Sequence, residues 1–127
     1  MRVNRGFCLC LLLVLGSFPG QTAWSAPKTL SIKGYVLDSA CAFTKNLKKP
    51  ISSACAVACA KAGSPLVILS SDDKLYLPIS DATPAQGQNA RLMEYAGKRV
   101  TVTGKVYDRN GALGIVIEKI TGAQAEM

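Results

Sequence analysis

The stretch Val100-Thr101-Val102-Thr103-Gly104-Lys105-Val106-Tyr107, followed by Asn110-Gly111 and then by Leu113, Ile115 and Ile117, decides the fold class. Apolar residues at every second place are the mark of a strand with one buried face, because successive side chains point to opposite sides of a pleated ribbon. Asn-Gly supplies the positive backbone φ that a tight hairpin needs, so the two alternating runs read as an antiparallel pair.

Outward from that hairpin the pattern repeats. Leu30, Ile32, Gly34 and Val36 alternate with Ser31, Lys33 and Tyr35, giving strand one. Leu66 to Leu69 is a short continuous apolar run behind Ser64-Pro65, and Leu75, Leu77 and Ile79 alternate after the polar turn Ser71-Asp72-Asp73. These are strands two and three, so the opening hairpin holds strands four and five. Gly34 and Gly104, inside strands one and four, mark where strongly coiled strands bend to close a barrel.

Two segments break the alternation. Ser53 is placed to cap a helix through Ala54, Cys55, Val57, Cys59 and Ala62, which Gly63 and then Pro65 end. Leu92, Met93 and Ala96 form a short apolar stripe ended by Gly97, read as a plug under one barrel mouth. The expected fold is therefore all-β, a five-stranded Greek-key barrel. It carries a cysteine-bearing helix after strand one and a short helix between strands three and four, the element order of the oligonucleotide/oligosaccharide-binding (OB) barrel.

The N-terminus adds a location. Met1-Arg2-Val3-Asn4-Arg5, the apolar run Phe7 to Leu15, and then Gly16, Pro19 and Gly20 have the three-part layout of a secretory signal peptide. Ala23 and Ser25 fit the small positions before a cleavage site, so residues 1–25 are expected to be removed, taking Cys8 and Cys10 with them. Residues 26–127 then form a single domain, periplasmic or secreted, with no second apolar run of membrane length. Without Arg2 and Arg5, 13 basic residues stand against 8 acidic ones. An exported protein with that excess meets anionic envelope components before any nucleic acid, so nucleic acid is not an expected partner.

Two motifs carry a resemblance. Tyr95-Ala96-Gly97-Lys98-Arg99-Val100-Thr101-Val102-Thr103-Gly104-Lys105-Val106, with the hairpin and Ile115 to Ile120, looks like the last third of many small exported bacterial OB-fold proteins. Gly34-Tyr35-Val36-Leu37-Asp38-Ser39-Ala40-Cys41, followed by Cys55-Ala56-Val57-Ala58-Cys59-Ala60-Lys61-Ala62-Gly63-Ser64-Pro65, resembles a largely uncharacterised group among them. The likeness covers essentially all of residues 26–127. In those relatives a histidine often stands three places before the first helical cysteine, where this chain has Ser52.

Cys41, Cys55 and Cys59 are the residues that could carry chemistry. Cys55 and Cys59, four apart on a helix, share one face and can converge on Cys41. One reading is a structural staple joining Cys41 to Cys55 or to Cys59, since cysteines one helical turn apart rarely meet disulfide geometry. A loop of some 15 residues closed this way gains about 3 kcal/mol in the chain-entropy treatment, and the odd thiol stays buried or bridges two chains as a covalent dimer. A second reading is a copper or zinc site of Cys41, Cys55 and Cys59 with the Asp38 carboxylate or a water as fourth ligand; Asp38 otherwise serves to end strand one in a turn. A third is thiol chemistry, because Lys45, Lys48, Lys49 and Lys61 crowd the insertion and positive charge lowers a thiol pKa.

The chain has no histidine, which removes Ser-His-Asp and Cys-His catalysis and haem attachment through Cys-x-x-Cys-His. No catalytic residue is therefore assigned. Tyr35, Tyr76 and Tyr107 fall on outward positions of strands one, three and four and form a candidate stacking face. The leading expectation is a non-catalytic binding module of the cell envelope, without cofactor and with its ligand or protein partner unidentified. The alternative is a metal-handling or thiol-active protein built on the three cysteines.

Overall fold

A computed structural model describes residues 25–122. The expected leader, with Cys8 and Cys10, lies outside the described residues apart from Ser25. Five strands, β1 (Lys28–Asp38), β2 (Leu66–Ser70), β3 (Leu75–Pro78), β4 (Arg99–Arg109) and β5 (Ala112–Gly122), close into a barrel in the order β1-β2-β3-β5-β4. All neighbours run antiparallel except β3 and β5, which close the barrel in parallel. This is the all-β, OB-like architecture that the alternation implies. Among the described residues no helix is long and apolar enough to cross a membrane.

The first strand makes closure possible. Its residues from Lys28 to Tyr35 pair with β4, and those from Gly34 to Asp38 pair with β2, so Gly34 stands where the strand is shared by both neighbours. Gly104 marks the other corner, at a register shift in the β4–β5 ladder. A Cβ there would run into the Val116 carbonyl oxygen, so only glycine lets β4 approach β5 at that point.

The barrel interior is filled by Ile32, Val36, Ile68, Val100, Val102, Val106, Ile115 and Ile117, each buried. The alternation of β4, with Val100, Val102 and Val106 buried and Thr101, Thr103 and Lys105 more exposed, follows the pleat. Leu92 and Ala96 close this core from the segment between β3 and β4, where α3 (Asn89–Leu92) runs into a turn of 3-10 helix at Met93–Tyr95. The expected plug is there, as a short helical segment.

Strand β3 corrects the sequence reading. Tyr76 lies opposite Ile68 of β2 and Leu113 of β5 and is only 6 % exposed, whereas Leu77, expected inside, is 45 % exposed. Paired residues share a face, so the partner strands place Tyr76 in the interior, and a slip of one residue would invert the whole strand. What misled the alternation is a second apolar layer. Leu75 pairs with Leu69 and packs outside the wall against the cluster of Leu37, Ala42, Val67 and Leu69, which Leu47 also covers. The strand β2 is thus buried on both faces, which accounts for its unbroken run of apolar residues.

The segment between β1 and β2 builds that outer layer and a lid over the barrel. It holds two helices, α1 (Ser39–Thr44) and α2 (Ser53–Lys61), where a single helix was expected. Ala42 of α1 covers the outside of β1 and β2, while Ala56 and Ala60 of α2 enter the barrel core. Small side chains on α2 let its backbone lie close against the barrel mouth.

Candidate functional site

Two side-chain caps position the cysteines. Asp38, the last residue of β1, caps α1 by accepting the Cys41 N–H at 3.0 Å. Ser52 caps α2 in the same way, accepting the Cys55 N–H at 3.1 Å, so the cap lies one residue before the expected Ser53. Each cap stands three residues before a cysteine, placing Cys41 and Cys55 in the first turns of their helices. The end of α2 is equally defined. The Ser64 N–H bonds the Cys59 carbonyl and the Gly63 N–H the Ala60 carbonyl, with Gly63 in the left-handed region at φ 105°. That turn delivers Ser64 to the site, where its hydroxyl reaches Asp38 Oδ1 at 3.4 Å.

The convergence is selective. The carboxylate of Asp38 and the sulfurs of Cys41 and Cys59 all lie within 4.8 Å of one another, whereas Cys55 stands outside that group. Asp38 and Cys41 are buried, 2 % and 8 % exposed, and Cys55 and Cys59 are half-buried. Cys55 adjoins the cluster, one helical turn before Cys59 on α2. Among the described residues Cys41, Cys55 and Cys59 are free thiols, with no sulfur pair at bonding distance. Of the four residues named from the sequence, three meet tightly and the fourth flanks them. A shallow pocket lined by Asp38, Cys41, Cys55, Leu47, Ile51 and Ser52 opens beside them.

The electrostatics oppose the expected lysine activation. The Cys41 pKa is pushed up to about 11, first because its thiol hydrogen-bonds the Asp38 carboxylate and second because it is buried; Lys45 pulls the other way and is outweighed. Burial is also the main cause raising Cys59, reinforced by the charge of Asp38. Lys48 is engaged by Asp73 at 2.7 Å. At Asp38, burial raises the pKa, but hydrogen bonds from the Cys41 N–H and thiol and from Ser64 together outweigh it and leave the carboxyl below its usual range. The resting site is thus a carboxylate beside two protonated thiols. Such a donor set is one from which a cation can displace protons.

One half-buried polar residue escaped the sequence reading. The side chain of Asn89 accepts the Leu66 N–H at 2.8 Å and donates to the carbonyls of Ser64 at 2.8 Å and Ala60 at 3.3 Å. It ties the end of α2 to the start of β2 and so fixes Ser64 against Asp38. A single asparagine outside any periodic run carries no signal from which that role could be read.

The three tyrosines do not form one face. Tyr76 is inside the barrel, which corrects its outward placement. Tyr35 pairs with Arg99, whose guanidinium lies over its ring at 6.0 Å, and Tyr107 is eight residues farther along β4. At about 3.3 Å per residue the two remaining rings are roughly 26 Å apart along the strand, too far to stack adjacent groups of one small ligand. In comparisons with known proteins, no family model, no curated protein and no solved structure matches this chain.

Proposed function

We propose that this protein is a metal-handling module of the bacterial cell envelope. It holds a single Cu(I) or Zn(II) ion between the thiolates of Cys41 and Cys59, with the Asp38 carboxylate as third donor. The observation that carries the reading is the meeting of those three ligand atoms within 4.8 Å at the mouth of the barrel. Two sulfurs on a tetrahedral zinc at about 2.3 Å stand roughly 3.8 Å apart, so binding requires a contraction of no more than about 1 Å. Thiolate pairs select soft and borderline ions, and the carboxylate adds a preference for zinc over copper. The Cys41 N–H and Ser64 hydroxyl orient Asp38 from behind, as outer partners orient a metal ligand. In this reading the barrel serves as a scaffold for the ion. Export, cleavage after Ser25 and kinship with small exported OB-fold proteins belong to the same proposal, on the layout of the N-terminal residues and the two motifs.

The test is native mass spectrometry with thiol counting on protein purified without reductant from the periplasm, before and after a chelator. One ion per chain and three thiols after its removal supports the site. One thiol and no metal, with Cys41 bonded to Cys59, would replace the site with a staple made from the same two sulfurs. All three cysteines paired in a covalent dimer would refute the metal site and leave the staple, with the odd cysteine bridging two chains.

A further inference from the structure

The ion site leaves Cys55 unused, although the fold places it, half-buried, beside the site. Cys55 stands outside the group of converging ligand atoms, yet it lies one helical turn from Cys59 on α2 and lines a shallow pocket together with Asp38 and Cys41. Cys55 and Cys59 are half-buried, whereas Cys41 is buried. The cap on α2 holds Cys55 in place, because its own N–H is bonded to Ser52. A purely structural cysteine would be expected in the core, where Ala56 and Ala60 of the same helix are packed.

We infer that Cys55 is an exchange ligand, which takes a Zn(II) ion from an incoming chelate at the pocket and passes it to Cys59, Cys41 and Asp38. This deepens the proposed function and rests on it. In the first step a carrier ligand leaves zinc, the Cys55 sulfur bonds to it, and the thiol proton goes to water. In the second, bonds from zinc to Cys59 and Cys41 form as their two thiol protons leave, the bond to Cys55 breaks, and Cys55 regains a proton. One Zn(II) is taken up, two protons are released, and no electron moves. Loading by ligand exchange lets the ion avoid a bare intermediate at a site whose innermost donor, Cys41, is buried.

The experiment uses reduced, metal-free mature protein under anaerobic conditions, with Zn(II) supplied as the complex of a chromophoric chelator. Equilibrium competition gives affinity, and stopped-flow mixing gives the loading rate. Cys55→Ala and Cys55→Ser are expected to keep wild-type affinity within about threefold while loading at least tenfold more slowly. Cys41→Ser and Cys59→Ser are expected to lose affinity by at least a hundredfold. Matching melting temperatures for the Cys55 variants and wild type guard against a folding defect, and either variant alone suffices if the other fails to fold. An affinity loss in the Cys55 variants equal to that of Cys41→Ser would make Cys55 a resident ligand and overturn the inference. So would an unchanged loading rate. Wild-type protein that takes up no zinc overturns the site itself, an outcome readable before any Cys55 variant is compared.

Discussion

Replacing Asp38 separates what it does for folding from what it does for an ion. In Asp38→Ala the helix α1 loses its N-cap, the bond to the Cys41 N–H at 3.0 Å, at a cost of about 1 kcal/mol. The Ser64 hydroxyl also loses its acceptor, worth about another 1 kcal/mol, and the buried Cys41 loses the carboxylate beside its thiol. The sum is a loss of about 2–3 kcal/mol, or a fall in Tm of roughly 10–20 °C for a domain of this size. Asparagine caps helices as well as aspartate, so Asp38→Asn keeps the bond to Cys41 N–H and should cost less than about 1 kcal/mol. Urea unfolding of reduced, metal-free protein, followed by circular dichroism, reads both values. An alanine variant within about 0.5 kcal/mol of wild type, or an asparagine variant as costly as alanine, would refute the argument that Asp38 organises this end of the barrel.

Three further outcomes follow from the packing and charges. Gly104→Val drives a side chain into the Val116 carbonyl and should cost at least about 3 kcal/mol or prevent barrel closure, visible as lost near-ultraviolet dichroism; a stable, wild-type-like protein would contradict the corner assigned to it. Tyr76→Ala empties part of the core and should cost about 3–5 kcal/mol in urea unfolding, while Tyr107→Ala, half-buried on β4, should cost about 1 kcal/mol or less; a reversed order would return Tyr76 to the surface. The raised Cys41 thiol makes stability depend on pH in the alkaline range. The folded chain keeps a proton that the unfolded chain begins to release near 9.0, so this contribution is whole below about pH 9 and lost as pH rises through about 11. The stability difference between wild type and Cys41→Ala should therefore shrink across that window, and a flat difference would remove the Asp38–Cys41 hydrogen bond from the account.

The barrel was legible because its signal is local. Alternation along β1, β4 and β5 and the Asn110-Gly111 turn depend on side chains a few residues apart, and a half-buried ribbon writes that period directly into the sequence. The reading failed at β3, whose four residues sit between two apolar layers, so that Leu75 and Tyr76 are both covered and the period carries no direction. The helix α1 was missed for a related reason. Its six residues are too few to show a periodic stripe, and Asp38 was read as a turn residue ending β1 when it caps the helix that follows. The site was legible in composition and illegible in geometry. Helical spacing puts Cys55 and Cys59 on one face, but only the path of α1, set by the Asp38 cap, and the turn after α2, held by Asn89, decide that Cys59 meets Cys41 and that Cys55 stands aside.

X-ray absorption at the zinc edge, on wild-type protein loaded anaerobically with one equivalent of Zn(II), tests the central claim most directly. Two sulfur scatterers at about 2.3 Å with oxygen neighbours near 2.0 Å are expected from Cys41, Cys59 and Asp38. A shell of oxygen and nitrogen without sulfur would place the ion elsewhere and contradict the account.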